Sequence, residues 1–167
     1  DYSAENGHTL YTVIWYSSST ERWGTTHTLE YYMHKYKPTY VIICLGSNEL
    51  FVNDLENRAQ YVREIVKKLG NTPFVWISPS DWNGDTGIND VIKENIGKEH
   101  FFDSRYLKLK RGSDHYHPTW AAAAYWMDTA AQFIASHQCA NPLQLNKPKA
   151  HHKATKTKLL QPSFEGY

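Results

Sequence analysis

Cysteine is scarce in this chain: there are two in 167 residues. Cys44 lies inside an apolar run and Cys139 follows the last strongly helical stretch, so they do not make the dense disulfide framework of a small secreted scaffold. An excess of charge of either sign is also lacking. Eighteen basic against 17 acidic residues leave a formal net charge of +1, which excludes a global field drawing the chain to nucleic acid or to an anionic membrane. No run approaches the roughly 18–20 apolar residues that a membrane-spanning helix needs, and no signal-peptide pattern is visible at the start. The sequence reads as a soluble domain without internal repeats, and it opens on Asp1 rather than Met.

What is present suits one domain with a sizeable core. Aromatic residues make up 14%, with six Trp and twelve Tyr. That exceeds what a minimal core needs, and it fits either ordinary packing with half-exposed tyrosines or a surface that stacks on flat groups.

Strand and helix signals alternate. Thr9 to Tyr16 is rich in β-branched and aromatic residues, follows the turn-like Asn6-Gly7 and precedes a serine loop, as a strand should. Thr28 to Tyr36 has helical spacing and stops before Pro38. Tyr40 to Leu45 is a buried-strand run ended by Gly46. A helix capped by Asn53 or Asp54 runs to Leu69 with Gly70 as its stop. Pro73 to Ser78 reads as a strand, Gly87 to Ile96 as a helix, His100 to Asp103 as a short strand, and Pro118 to Ser136 as the closing helix. This order predicts an α/β fold with an open parallel sheet, its site at the carboxyl ends of the strands. Residues 1–137 form the domain. Residues 138–167, rich in Lys, His, Asn, Pro and Gln, read as a flexible basic tail.

Two loops at that edge carry chemistry. Gly46-Ser47-Asn48-Glu49 follows a strand: the glycine permits a tight turn, and the Asn48 carboxamide can donate to a developing oxyanion without bringing a charge. The same residues also suit a plain turn. Ser113-Asp114-His115-Tyr116-His117-Pro118 precedes the last helix. Here Asp114 can accept from Nδ1 of His117 and leave Nε2 to take a proton from a hydroxyl; taken alone, the pair is better read as a turn-forming Asp beside an exposed His. Ser80 and Trp82, in the loop after the third visible strand, are candidates for substrate contact, with Trp82 as a stacking platform. Trp82, Trp23 and Trp120 serve equally as apolar covers over helix ends.

Taken together, an Asn loop after one strand and an Asp-x-x-His loop before the final helix resemble the SGNH (GDSL-like) serine hydrolase superfamily. The resemblance spans roughly residues 9–136. It identifies Gly46-Ser47-Asn48-Glu49 with the family's Gly-x-Asn-Asp block, Glu49 replacing the aspartate, and Asp114-His115-Tyr116-His117 with its Asp-x-x-His block. Ser17-Ser18-Ser19-Thr20 is similar to the block whose glycine N–H binds the oxyanion, with Ser18 at the glycine position. The Gly-Asp-Ser block carrying the nucleophile has no counterpart, and Asp1 to Gly7 resembles the end of the helix that follows it.

The resemblance implies a three-layer α/β/α, flavodoxin-like fold with sheet order 2-1-3-4-5 and its central first strand missing. It also implies a serine esterase, acting on an acyl or acetyl ester such as an O-acylated carbohydrate, that needs no metal or other cofactor and works outside the bacterial cytoplasm. Asp114 and His117 would be catalytic, Asn48, Ser18 and Gly46 would form the oxyanion hole, and the nucleophile is unassigned. Ser17, Ser18, Ser47 and Ser80 lie in loops near the same edge but lack the strand-to-helix setting of a nucleophile. A non-catalytic ligand-binding module on the same fold is the competing reading. A metal hydrolase using Asp114, His115 and His117 is a third.

Overall fold

The computed structural model describes all of residues 1–167. Its elements are α1 (Tyr2–Glu5), β1 (Thr12–Trp15), α2 (Thr20–Thr25), α3 (Thr28–Tyr36), β2 (Val41–Ile43), α4 (Leu55–Leu69), β3 (Phe74–Ile77), α5 (Ile88–Ile96), β4 (Phe101–Phe102), α6 (Trp120–Ile134) and β5 (Thr157–Leu160). The fold is mixed α/β with parallel sheets, as the alternating signals predict. No helix is long and apolar enough to cross a membrane.

The apolar runs become short strands of a three-stranded sheet ordered β2-β3-β4, with Val41 opposite Phe74 and Trp76 opposite Phe101. β3 is buried at every position, as a strand covered on both faces should be. Side chains alternate between the faces. Phe74 and Trp76 meet Val62, Ile65 and Leu69 of α4 and Ile88, Ile92 and Ile96 of α5, residues whose three- and four-residue spacing puts them on one face of each helix. Ile77 points the other way, with Phe102, onto Ala130 of α6.

Two helices differ from expectation at their starts. α6 begins at Trp120 rather than Pro118, because the backbone on either side of Pro118 is already paired: Gly112 N–H donates to His117 O (2.8 Å) and Thr119 N–H to Lys110 O (2.9 Å). Thr119 then caps the helix by accepting from Ala122 N–H (3.2 Å). α2 has no local signal strong enough to announce it. The cap on its first turn comes from 29 residues away, where the Glu49 carboxylate accepts from Thr20 N–H at 3.0 Å. Gly24 is required there, since a Cβ would stand 2.9 Å from the Tyr61 carbonyl oxygen of α4.

The single open sheet of the sequence reading is divided in two. β1 pairs in parallel with β5, Thr12 opposite Thr157 and Trp15 opposite Leu160, and neither strand is bonded to β2. β5 also changes the picture of residues 138–167. Their basic composition reads as a flexible tail, yet Leu160 is 5% exposed in a cluster with Trp15 and Tyr32, and Phe164 packs against it. The preceding stretch is held at its backbone: Glu5 accepts from Lys149 and Ala150 N–H (2.9 and 3.0 Å), and Asp1 from His152 N–H (2.6 Å). Composition averages over the lysines and hides the few apolar residues that anchor the segment.

β5 lies on the outer side of β1. Leu160 meets Tyr32 of α3, whereas Leu29 and Met33 of the same helix face the β2 cluster. Trp23 packs against both clusters, so β1 and β2 lie under one helical layer.

Candidate functional site

The loop between β4 and α6 folds on itself. The Asp114 carboxylate accepts from the backbone N–H groups of Tyr116 (2.9 Å) and His117 (3.0 Å), a side-chain turn that aspartate forms readily. His115 completes the reversal with φ +65°. The turn brings Asp114 Oδ2 to 2.6 Å from Nδ1 of His117, while Nε2 makes no hydrogen bond and the ring is 85% exposed. The His117 hydrogen bond, helped by those of the two backbone N–H groups, holds the Asp114 carboxyl well below the usual carboxylate range. A neutral imidazole bonded this way carries its proton on Nδ1 and presents a basic Nε2.

Arg111 fastens this turn to the sheet. Its guanidinium donates to the Tyr116 carbonyl (2.8 Å) and to Ser80 Oγ (2.9 Å). Ser80 itself is 3% exposed and anchors Arg111. Trp82 bridges loops rather than lying open as a platform: Nε1 donates to Ser47 O and Oγ, both at 3.1 Å, and the ring meets Tyr116 edge-on at 4.9 Å. That bridge links the His117 loop to the Asn48 loop.

Gly46, at φ +118°, turns the chain out of β2 where a Cβ would come within 3.0 Å of Pro79. Asn48 is exposed, and its Nδ2 donates to Ser18 O at 2.9 Å. The Ser18 N–H is engaged within its own turn, donating to Trp15 O at 3.2 Å. The strained backbone of this loop sits one residue earlier, at Ser17, with φ +58°. A second N–H of Asn48 is left for a ligand, whereas Ser18 can donate to one only after releasing Trp15.

No serine of the neighbouring loops meets His117. Ser18 Oγ accepts from Trp23 Nε1 (3.0 Å), Ser47 Oγ from Trp82, and Ser80 Oγ from Arg111. His115 does not join Asp114 and His117 in a ligand set, and nowhere do three or more His, Cys, Asp or Glu side chains converge as metal ligands. Both cysteines are free thiols.

Three residues at this edge escape a sequence reading. Arg111 finds its partners five and 31 residues away. Glu49, 1% exposed, accepts from both donors of Thr20 and from Arg58 (3.1 Å), fixing the Asn48 loop to the start of α2. Tyr116 supplies the aromatic edge against Trp82. Only Glu49 had a signal, the carboxylate beside Asn48. Comparison with models of known families, with curated proteins and with solved structures returned no match.

Proposed function

We propose that this chain is the body of an SGNH-type serine ester hydrolase whose nucleophile belongs to a segment outside these 167 residues. The observation that carries the reading is the Asp114–His117 pair, bonded through Nδ1 at 2.6 Å, with Nε2 free on the same edge as the Asn48 carboxamide. In the reaction a serine Oγ attacks the acyl carbon and gives its proton to His117 Nε2. The alcohol leaves with that proton, and water, deprotonated by the same imidazole, releases the acid. Asp114 fixes the tautomer, and the spare N–H of Asn48 stabilises the oxyanion. A short acyl or acetyl ester on a carbohydrate is the proposed substrate class, in keeping with the exposed rings of Tyr116 and Trp120 beside His117.

The competing reading is a ligand-binding module without turnover. It is favoured by one observation: the hydroxyls of Ser18, Ser47 and Ser80 are bonded to Trp23, Trp82 and Arg111, and none meets His117.

The test reads the source gene upstream of Asp1 for a strand followed by Gly-Asp-Ser, expresses that longer polypeptide and treats it with a serine-directed fluorophosphonate. Labelling that drops by about a hundredfold or more in His117→Ala supports the hydrolase. Ligand binding without labelling supports the module.

A further inference from the structure

The chain reaches the His117 turn along residues 106–110, where exposure alternates. Tyr106, Lys108 and Lys110 are exposed, while Leu107 and Leu109 are half-buried and Leu107 packs beside Ile77, Phe102 and Ala130. A period of two marks extended backbone whose even-numbered side chains share the outer face. The run then meets the residues before α6 in an antiparallel bridge: Arg111 faces Pro118, Gly112 N–H donates to His117 O and Thr119 N–H to Lys110 O. That register puts Lys110 opposite Thr119 and Gly112 opposite His117. Lys110 and His117 therefore fall on one face as diagonal neighbours, their Cα atoms about 7–8 Å apart. Arg111, on the other face, turns in to Ser80. Gly112 leaves the space beside the imidazole open, although a Cβ there would meet nothing closer than His117 O at 3.7 Å.

Lys108 and Lys110 are cations without partners. Neither forms an ion pair, in a chain whose charges otherwise nearly cancel. The carboxylates of the flanking loops are turned onto their own segments. Asp114 accepts from the N–H groups of Tyr116 and His117 and from His117 Nδ1, and Asp81 from the N–H groups of Asn83, Gly84 and Asp85. The guanidiniums of this edge are also taken, Arg105 by Asp103 and Asp90, and Arg111 by Tyr116 O and Ser80. What remains beside His117 is two ammonium point charges without a guanidinium fork. They suit single carboxylates better than phosphate, whose oxygens favour bidentate donors. Two open rings adjoin these positions in the chain, Tyr106 at 80% exposure two residues before Lys108 and Trp120 at 95% next to Thr119. Such rings offer flat apolar area to a sugar while leaving its hydroxyls to water.

We propose that Lys110, with Lys108 behind it, binds a carboxylate of the ligand held at His117, and that the ligand class is a carbohydrate bearing carboxylates, such as an oligomer of uronic acid. In an extended run Lys108 lies about 7 Å beyond Lys110, so the two ammoniums meet successive charges along such a chain while an ester on it lies at His117 Nε2. Two unpaired cations are too few for nucleic acid, whose binding grows with the number of phosphates neutralised. This gives the carbohydrate substrate of the hydrolase reading a charge, and rests on that reading for turnover but not for binding.

The test titrates the chain as it stands with a tetramer of galacturonic acid at low salt and follows amide and imidazole signals by NMR. The acid should shift Gly112, His117 and Thr119. Its methyl ester, which keeps the sugar and loses the charge, should bind about tenfold more weakly. Lys110→Gln should weaken the acid by about tenfold, the worth of one charge-assisted hydrogen bond, with Lys110→Arg retaining most of the affinity and Lys108→Gln costing about threefold. Both lysines are exposed, so these variants keep the fold. Four results overturn the proposal: no shift with the acid, equal binding of acid and ester, shifts confined to the lysines of residues 147–158, or a thymidine tetranucleotide that binds as tightly as the acid and marks a general polyanion surface. In the longer polypeptide, fluorophosphonate labelling reads the nucleophile without any anionic substrate. A labelled enzyme that hydrolyses acidic and neutral acetylated sugars at equal kcat/KM, unchanged in Lys110→Gln, leaves the hydrolase standing and overturns the carboxylate site. A labelled enzyme whose Lys110→Gln variant raises KM for the acidic sugar more than it lowers kcat supports the site. Binding of the acid without labelling keeps the site and assigns it to the non-catalytic module.

Discussion

The two sheets are built from similar strands and held in different ways. The β2-β3-β4 half has helices on both faces, and its main cluster joins Leu50, Val62, Ile65, Trp76, Ile88 and Ile92, each at most 1% exposed. The β1-β5 half rests on three buried residues, Trp15, Tyr32 and Leu160, ringed by half-buried aromatics. Burial contributes in proportion to the apolar area removed from water, so the first half carries most of the stability. The second depends on its ties to the first through Glu49, Asn48 and Trp23.

The largest expected effect tests the first half. Trp76→Ala removes a fully buried indole whose Nε1 donates to Leu45 O, and urea denaturation should show a loss of about 3–5 kcal/mol. Next comes the tie. Glu49→Gln removes the carboxylate that accepts from Thr20 and Arg58, Arg58 keeping Asp54 at 3.1 Å, with an expected cost of about 2–3 kcal/mol for the lost charge-assisted hydrogen bonds. Amide exchange in this variant should speed up over β1 and α2 more than over β3; equal acceleration would mean the halves open as one unit.

Leu160→Ala should cost about 2 kcal/mol, the low end for a buried leucine, since its surroundings can relax toward solvent. A loss as large as that of Trp76→Ala would erase the difference between the halves. The smallest effect is local. Because the Asp114 carboxyl is held below its ordinary value near 3.9, its contribution is present above that pH and is lost only as the pH falls through the lowered value. Carboxyl ¹³C titration should find Asp114 still ionised at about pH 3, with His117→Ala returning it toward the usual range.

Much of the fold was legible because its signals are local. The runs at Tyr40 to Leu45 and Pro73 to Ser78, the three- and four-residue spacing in α4 and α5, and the stop at Gly70 each follow from a few neighbouring residues. So does the Asp114–His117 bond, since a three-residue turn suffices to make it. α2 was not legible, because its cap comes from Glu49 across the molecule. The bonds of Ser80 to Arg111 and of Trp82 to Ser47 were not legible either, because a loop sequence does not say which side chains meet.

The sequence by itself determined the alternation of parallel strands and helices, the main core and the Asp114–His117 pair, because each depends on spacing within about one helix or one turn. Tertiary structure alone decided that β5 closes the outer edge of β1, that Arg111 holds the His117 loop, and that Glu49 joins the two halves. The reason is physical: those interactions satisfy buried or half-buried polar groups and apolar faces with partners tens of residues away, and local preference carries no information about such partners.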